Sequence, residues 1–392
     1  MQDDNHNPEA NFSLVQSGIF YQLLLRLKLA GTSNREYFAR LLAICGTVWI
    51  PLLVLSALQG LAFGNKVEIP FIKDFASHVR LLVIIPILVF AERSVDFRLK
   101  ELSNFFFTAG ILNGQDIPAY KKIQQFITRL SRSPFADIVI LLCITTNLII
   151  RWIQRPHQSS YWVVFPEEPN ASISWAGIWY LFISMPIFQY MILRWFWRWI
   201  LWVIYFKKIS RLNLKLNVAH PDRAGGLGFL GVPPGPFLQV TLAFSILCSA
   251  TVAHQIFFFH GRLPEYYVLL GGVAILAIIL NVLPLLVFIK TLFIQRRRGI
   301  FQYSALIQEH HREFDQKWIY KKNDEQILGT SDPSSMIDIN SSFESVMHMR
   351  LFPFDLKIML STIAIVVLPL LPLLFFEYNL AELLKEIVTL FL

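Results

Sequence analysis

Nothing constrains this chain more than seven apolar stretches, at about 39–60, 75–92, 135–153, 175–206, 237–258, 266–290 and 354–376. A helix rises 1.5 Å per residue, so about 20 residues cross a hydrocarbon core of roughly 30 Å. Inside lipid a backbone has no water to bond, and a helix satisfies its own N–H and C=O groups. The stretches therefore predict an all-α fold: a polytopic helical integral membrane protein with about seven transmembrane helices. Composition agrees, with 55% hydrophobic and 16% charged residues, against roughly 45–50% and about 25% in soluble domains. The second stretch is the weakest, because His78 and Arg80 fall in its first turns.

The connecting segments divide the chain. Residues 1–38 are an N-terminal segment, polar at 1–11 and then apolar at 18–30 with Arg26 and Lys28. Residues 18–30 are short for a span and predict a helix lying on the membrane surface. Ser33 or Asn34 is placed to cap the first spanning helix. Residues 39–294 form a six-span core that includes two amphipathic helices over 97–132, broken near Asn113-Gly114. Residues 295–352 predict a solvated helix to about 322 and a polar linker over 323–340, with Pro333 in it. Residues 353–392 carry the seventh span and an amphipathic terminal helix at 380–392. The first long apolar stretch is too long and too far into the chain for a secretory signal.

Basic residues predict the threading. With the N-terminus inside, the inner segments and the span ends adjoining them hold 24 of the 35 Lys and Arg, and the outer segments with their adjoining span ends hold 7. Such an excess marks the cytoplasmic side. In a membrane protein the net charge of +8 reflects these loops and implies no nucleic-acid partner. The partners implied are the lipid bilayer and an ion or small solute, and a homo-oligomer is compatible with the sequence.

Span four sets the depth scale. Trp175 and Trp179 stand at one end, and Trp195, Trp197, Trp199 and Trp202 at the other. The 20 residues from Trp175 to Trp195 measure about 30 Å, one hydrocarbon thickness. Arg194 and Arg198 share a helix face near the inner belt. There they are expected to anchor the helix by reaching the headgroups, with Asp137 or Glu92, at similar depth, as a partner. Arg80 lies about 8 Å inside the outer end of span two, and His254 is also near the outer face. With His78 they could line an outer vestibule.

Mid-span polar groups are neutral: Thr146, Asn147, Gln189, Ser249 and Asn281. They serve either as helix–helix hydrogen bonds or, above all Asn147, Gln189 and Asn281, as a permeation lining. No Asp or Glu lies near mid-membrane, which favours a channel-like or non-transport role over an ion-coupled carrier. Pro51, Pro86, Pro186, Pro284, Pro369 and Pro372 fall within spans and predict kinks.

The loop 220–236, HPDRAGGLGFLGVPPGP, stands apart from both spans and polar helices. Gly225, Gly226, Gly228 and Gly231 permit φ > 0 and close backbone approach. Pro221 holds His220 extended. Asp222 can accept backbone N–H groups, and Arg223 can pair with a carboxylate or phosphate. His220, Asp222, Arg223, Gly225, Gly226 and Gly228 therefore form a candidate inner-face site, with a plain helix-breaking turn as the alternative. The GLGFLG run matches GxGxxG but is preceded by a helix and followed by prolines, unlike a dinucleotide site. His311 and Asp315 sit four apart in a charged helix without an HExxH pattern. No metal, cofactor or catalytic residue is implied, and Cys45, Cys143 and Cys248 lie within spans without ligand spacing.

The HPDRAGGLGFLG loop, entered from a Trp- and Arg-rich helix and the run ISRLNL at 209–214, resembles a group of uncharacterised bacterial polytopic membrane proteins. The resemblance covers about residues 194–231 and implies a multi-pass protein of the bacterial cytoplasmic (inner) membrane, with no implied activity. The residues support an ion channel or solute facilitator first. A membrane sensor or scaffold comes next, and an enzyme acting on a lipid or phosphorylated substrate last.

Overall fold

The computed structural model describes residues 13–15, 17–27, 29, 33–153, 161–164, 172–231, 237–320 and 330–376. The expectations for residues 1–11 and 380–392, and for the prolines at 233–236, lie outside the described residues.

The chain is all-α and multi-pass, and seven helical segments among the described residues are long and apolar enough to cross a membrane. A short surface helix α1 (Ile19–Arg26) comes first. The spanning segments begin with α2 (Asn34–Leu58) and α3 (Phe75–Thr108). After α4 (Ile117–Ser131) come α5 (Pro134–Ile153) and α6 (Trp175–Ile209). Then follow α7 (Leu238–Phe259), α8 (Tyr267–Leu286) and α9 (Ile289–Asp315). The chain continues through α10 (Asp332–Met347) and α11 (Leu356–Val367), which runs on as a 3-10 turn over Leu368–Phe376. Apolar side chains such as Leu42, Leu58, Ile153 and Val268 are exposed on the outside of the bundle, where lipid tails rather than water surround a membrane protein.

Local chemistry explains the helix limits. Ser33 caps α2: its Oγ accepts from Glu36 N at 3.3 Å, and Glu36 Oε2 accepts from Ser33 N at 3.2 Å. The second span is stronger than its polar start suggests. It runs unbroken into the first of the two helices expected over 97–132, and the break falls after Thr108. The polar stretch 323–340 is not all linker, because Asp332–Met347 form α10, packed on α9. Pro333 sits in the first turn of that helix, where a missing N–H costs nothing. Asp332 there accepts Lys317 Nζ at 2.7 Å and Trp318 Nε1 at 2.9 Å.

Prolines shape three spans by different means. In α3 and α6 a π turn, Val79–Ile84 and Tyr180–Ser184, comes just before Pro86 and Pro186. A proline ring clashes with the carbonyl four residues back, and the wider turn makes room for it. In α11 the prolines tighten the helix instead. A 3-10 turn pairs each carbonyl with the N–H three residues on, so Pro369 and Pro372 leave the Val366 and Pro369 carbonyls without donors. The Ser245 and Ser249 hydroxyls, one turn apart on α7, donate to those two carbonyls at 2.5 Å each.

We call the end of the bundle that carries α4, the loop 210–231 and the α9–α10 pair the basic end, and the opposite end the far end. The core runs between them through Val48, Leu52, Leu81, Ile85, Leu88 and Phe188, all buried.

Candidate functional site

The polar groups of the bundle collect at its two ends. At the basic end three arginines from two helices meet two carboxylates from two others. Arg194 and Arg198 of α6 are only 3% and 4% exposed. They face inward, so they are not headgroup anchors. Arg194 Nη1 lies 3.3 Å from Asp137 Oδ1 of α5, and Arg198 Nη2 donates to Glu92 Oε1 of α3 at 2.8 Å. Both acids that the sequence offered as partners are thus engaged, one by each arginine. Arg40 of α2 reaches the other Glu92 oxygen at 3.4 Å. Sequence reasoning missed Arg40 because a basic residue one turn into a helix looks like an end charge. Its i, i+4 relation to Ile44, buried on the same side, was the available signal.

The N-terminal segment closes over this cluster. Arg194 Nη2 donates to Ser17 Oγ at 2.8 Å and to Ser131 O at 2.8 Å, and Arg198 Nη2 donates to Val15 O at 3.2 Å. Ile19 N donates to Asp137 Oδ2 at 3.0 Å, and Tyr190 Oη to Asp137 Oδ1 at 2.7 Å. Gly18 permits the approach: its φ is +96°, and a Cβ there would stand 2.9 Å from the Arg194 guanidinium carbon. A narrow cleft with a volume of about 20 Å³ lies between the segment and the spans, lined by Ser17, Leu24, Arg40, Glu92, Arg194 and Arg198. Three guanidinium groups against two carboxylates leave one positive charge in excess. Arg40, Arg194 and Arg198 each keep a buried Nε–H with no hydrogen-bond partner among the described residues. Such an arrangement is chemically an anion receptor, since an arginine fork matches carboxylate or phosphate oxygens.

At the far end, Asp74 caps α3 and is 1% exposed. It accepts from Ser77 N at 3.2 Å, Trp162 Nε1 at 3.0 Å and the Tyr161 hydroxyl, and His254 Nε2 lies 3.4 Å away. Burial opposes its ionisation. The partners, His254 first and then Ser77, Tyr161 and Trp162, outweigh burial and hold the carboxyl well below the usual range. Arg80 donates to the Tyr180 hydroxyl at 3.1 Å, and Ser77 Oγ lies 3.4 Å from the same oxygen. The expected vestibule residues Arg80 and His254 therefore join one knot, organised by Asp74, Tyr161 and Tyr180. His78 sits beside it: its Nδ1 accepts a hydrogen bond from Trp49 Nε1 at 3.0 Å, and its Nε2 faces Ile72 O at 3.2 Å. Asp74 was not anticipated, because as the last polar residue before a span it looks like an ordinary cap.

The mid-span polar residues do not converge. Gln189 Nε2 donates to Asn147 Oδ1 at 3.0 Å, joining α6 to α5. Asn281 Nδ2 donates to Thr241 Oγ1 at 2.9 Å, joining α8 to α7. Both contacts are helix–helix hydrogen bonds.

In the loop, Asp222 is a staple. Its Oδ1 accepts from Ala224 N at 2.8 Å and Gly226 N at 3.1 Å, and its Oδ2 from Gly228 N at 2.8 Å. Burial works to raise its pKa. The Ala224, Gly228 and Gly226 N–H groups and the His220 ring outweigh burial and hold it below the ordinary value. Gly225 and Gly226 take positive φ, as does Arg223 at 53°. Gly228 leaves room for the Asp222 carboxylate, which a Cβ would meet at 2.9 Å. Arg350, just before α11, welds the loop down. Its N donates to Arg223 O at 2.6 Å, its Nη2 to Asp222 O at 2.8 Å and its Nη1 to Phe354 O at 3.1 Å. The Arg223 side chain is exposed, and His220 Nδ1 lies 2.9 Å from Asp222 Oδ1.

No family model, curated protein or solved structure matches this chain.

Proposed function

We propose that this membrane protein is a receptor of the sensor class, which binds an anionic ligand in the arginine cleft of its basic end. The observation that supports the reading is the excess of buried positive charge among the described residues, on three arginines that line the cleft and whose Nε–H groups have no partner among those residues. A buried charge without compensation costs several kcal/mol, and a bound anion removes that cost. The Ser17 and Val15 oxygens occupy guanidinium donors that an anion would claim. Ligand binding therefore re-seats the N-terminal segment, which is the output of the sensor. The excess of basic residues supports a cytoplasmic position for this end and for the N-terminus. The loop resemblance supports a bacterial inner membrane as the location.

An ion channel or solute facilitator is the second reading. It draws on the π turns of α3 and α6, since such turns recur at functional sites, and on Arg80 and His254 beside them. Thermal unfolding of the detergent-purified chain, in phosphate or in chloride at matched ionic strength, tests the receptor reading. Phosphate is expected to raise the midpoint of the wild type and to leave Arg40→Gln unmoved; equal responses overturn it. Ion flux in liposomes that responds to Arg80→Gln would carry the facilitator reading instead.

A further inference from the structure

The cleft is graded from polar to apolar in the same direction on three helices. On α2 the charged Arg40 is followed one turn deeper by Ile44. On α3 Glu92 is preceded one turn deeper by Val89, and on α6 Arg194 is preceded one turn deeper by Met191. All six line the cleft, with Leu24 of α1 facing them. A free inorganic anion gains nothing from apolar walls. This one has cationic groups at the membrane-surface level and an apolar floor toward the membrane interior. The floor adjoins α1, whose Ile19, Leu23 and Leu25 are exposed apolar side chains about half accessible. Arg26 ends the same helix, so α1 has the make-up of an interfacial helix beside the cleft.

From this gradient we infer that the ligand is the phosphate of an anionic lipid headgroup from the leaflet at the basic end, held by Arg40, Arg194 and Arg198, with its acyl chain against Ile44, Val89 and Met191 once α1 is displaced, since these side chains and Leu24 are buried under the N-terminal segment in this structure. The assignment rests on the anion-receptor reading and names the ligand of that site. A phosphodiester presents the two oxygens that a guanidinium fork matches. Each CH₂ buried along the apolar wall adds about 0.8 kcal/mol, which inorganic phosphate forgoes.

The test uses the full chain in phosphatidylcholine nanodiscs with and without phosphatidylglycerol, followed by detergent extraction and native mass spectrometry of the lipid that stays bound. Phosphatidylglycerol is expected to remain on the wild type in preference to phosphatidylcholine. Arg40→Gln is expected to weaken its retention about tenfold, the equivalent of one charge-assisted contact. Arg40 also pairs with Glu92, so Leu24→Glu supplies a second arm: it leaves every arginine in place and puts a competing carboxylate into the cleft from a peripheral helix. Retention should fall there too, measured on protein that still unfolds cooperatively in pure phosphatidylcholine. Equal retention of the two lipids, or wild-type retention of phosphatidylglycerol by Leu24→Glu, overturns the lipid assignment. If phosphate stabilises the wild type through Arg40 while phosphatidylglycerol is not retained, the anion site stands and the lipid assignment falls. If neither ligand registers, both fall.

Discussion

At the scale of the residue, one carboxylate decides what the glycine-rich loop is. Asp222 accepts three backbone N–H groups across Ala224, Gly226 and Gly228, so its chemistry is directed at its own loop. Asp222→Asn replaces an acceptor oxygen with an amide that faces donors. It should destabilise the protein by about 1–3 kcal/mol, the cost of leaving such groups unsatisfied, seen as a lower melting temperature. The sign of the pH effect follows from the lowered pKa. The carboxylate's contribution is complete above the unfolded value of about 3.9 and is lost as pH falls through the lower folded value. Melting temperatures of wild type and variant should therefore differ at neutral pH and converge in acid. A constant gap across that window counts against the staple. The sequence displayed Asp222 and its glycines plainly, since local turn chemistry involves neighbours in the chain. Arg350, which holds the loop from 128 residues away, had no local signal.

At the scale of the element, the last span shows how a membrane helix tolerates two prolines. Ser245 and Ser249 donate to the carbonyls that Pro369 and Pro372 leave without partners. Ser245→Ala and Ser249→Ala should each cost about 1–2 kcal/mol, measured by unfolding in mixed micelles. Pro372→Ala restores the N–H that the Pro369 carbonyl lacks, so it should reduce the cost of Ser249→Ala and leave that of Ser245→Ala unchanged. Equal effects on both would refute this pairing. The prolines and the polar residues were visible in the sequence as separate features. Their complementarity depends on the register between α7 and α11, which no periodicity within either helix encodes.

At the scale of the whole molecule, the polar sites sit at opposite ends of the same helices. α3 carries Asp74 and Arg80 at one end and Glu92 at the other; α6 carries Tyr180 at one end and Arg194 and Arg198 at the other. The proposed threading is checked by labelling single cysteines in a cysteine-free background. A cysteine at Asn65, exposed in the far-end loop, should react with an impermeant reagent added outside intact cells. A cysteine at Ser304, exposed on α9, should not, and the reverse pattern inverts the orientation. Seven apolar stretches determined the membrane-spanning all-α architecture by themselves, because lipid forces each crossing backbone to satisfy its own hydrogen bonds and length alone then marks the spans. The Trp belts likewise grouped Arg194, Arg198, Glu92 and Asp137 near one end of the spans, where the structure brings them together. Only the tertiary structure decided that those arginines turn inward to face each other across a cleft with Arg40 and the N-terminal segment. Rotation of a helix about its axis is set by what packs against it. For a helix that is apolar nearly all round, the sequence carries little record of which face that will be.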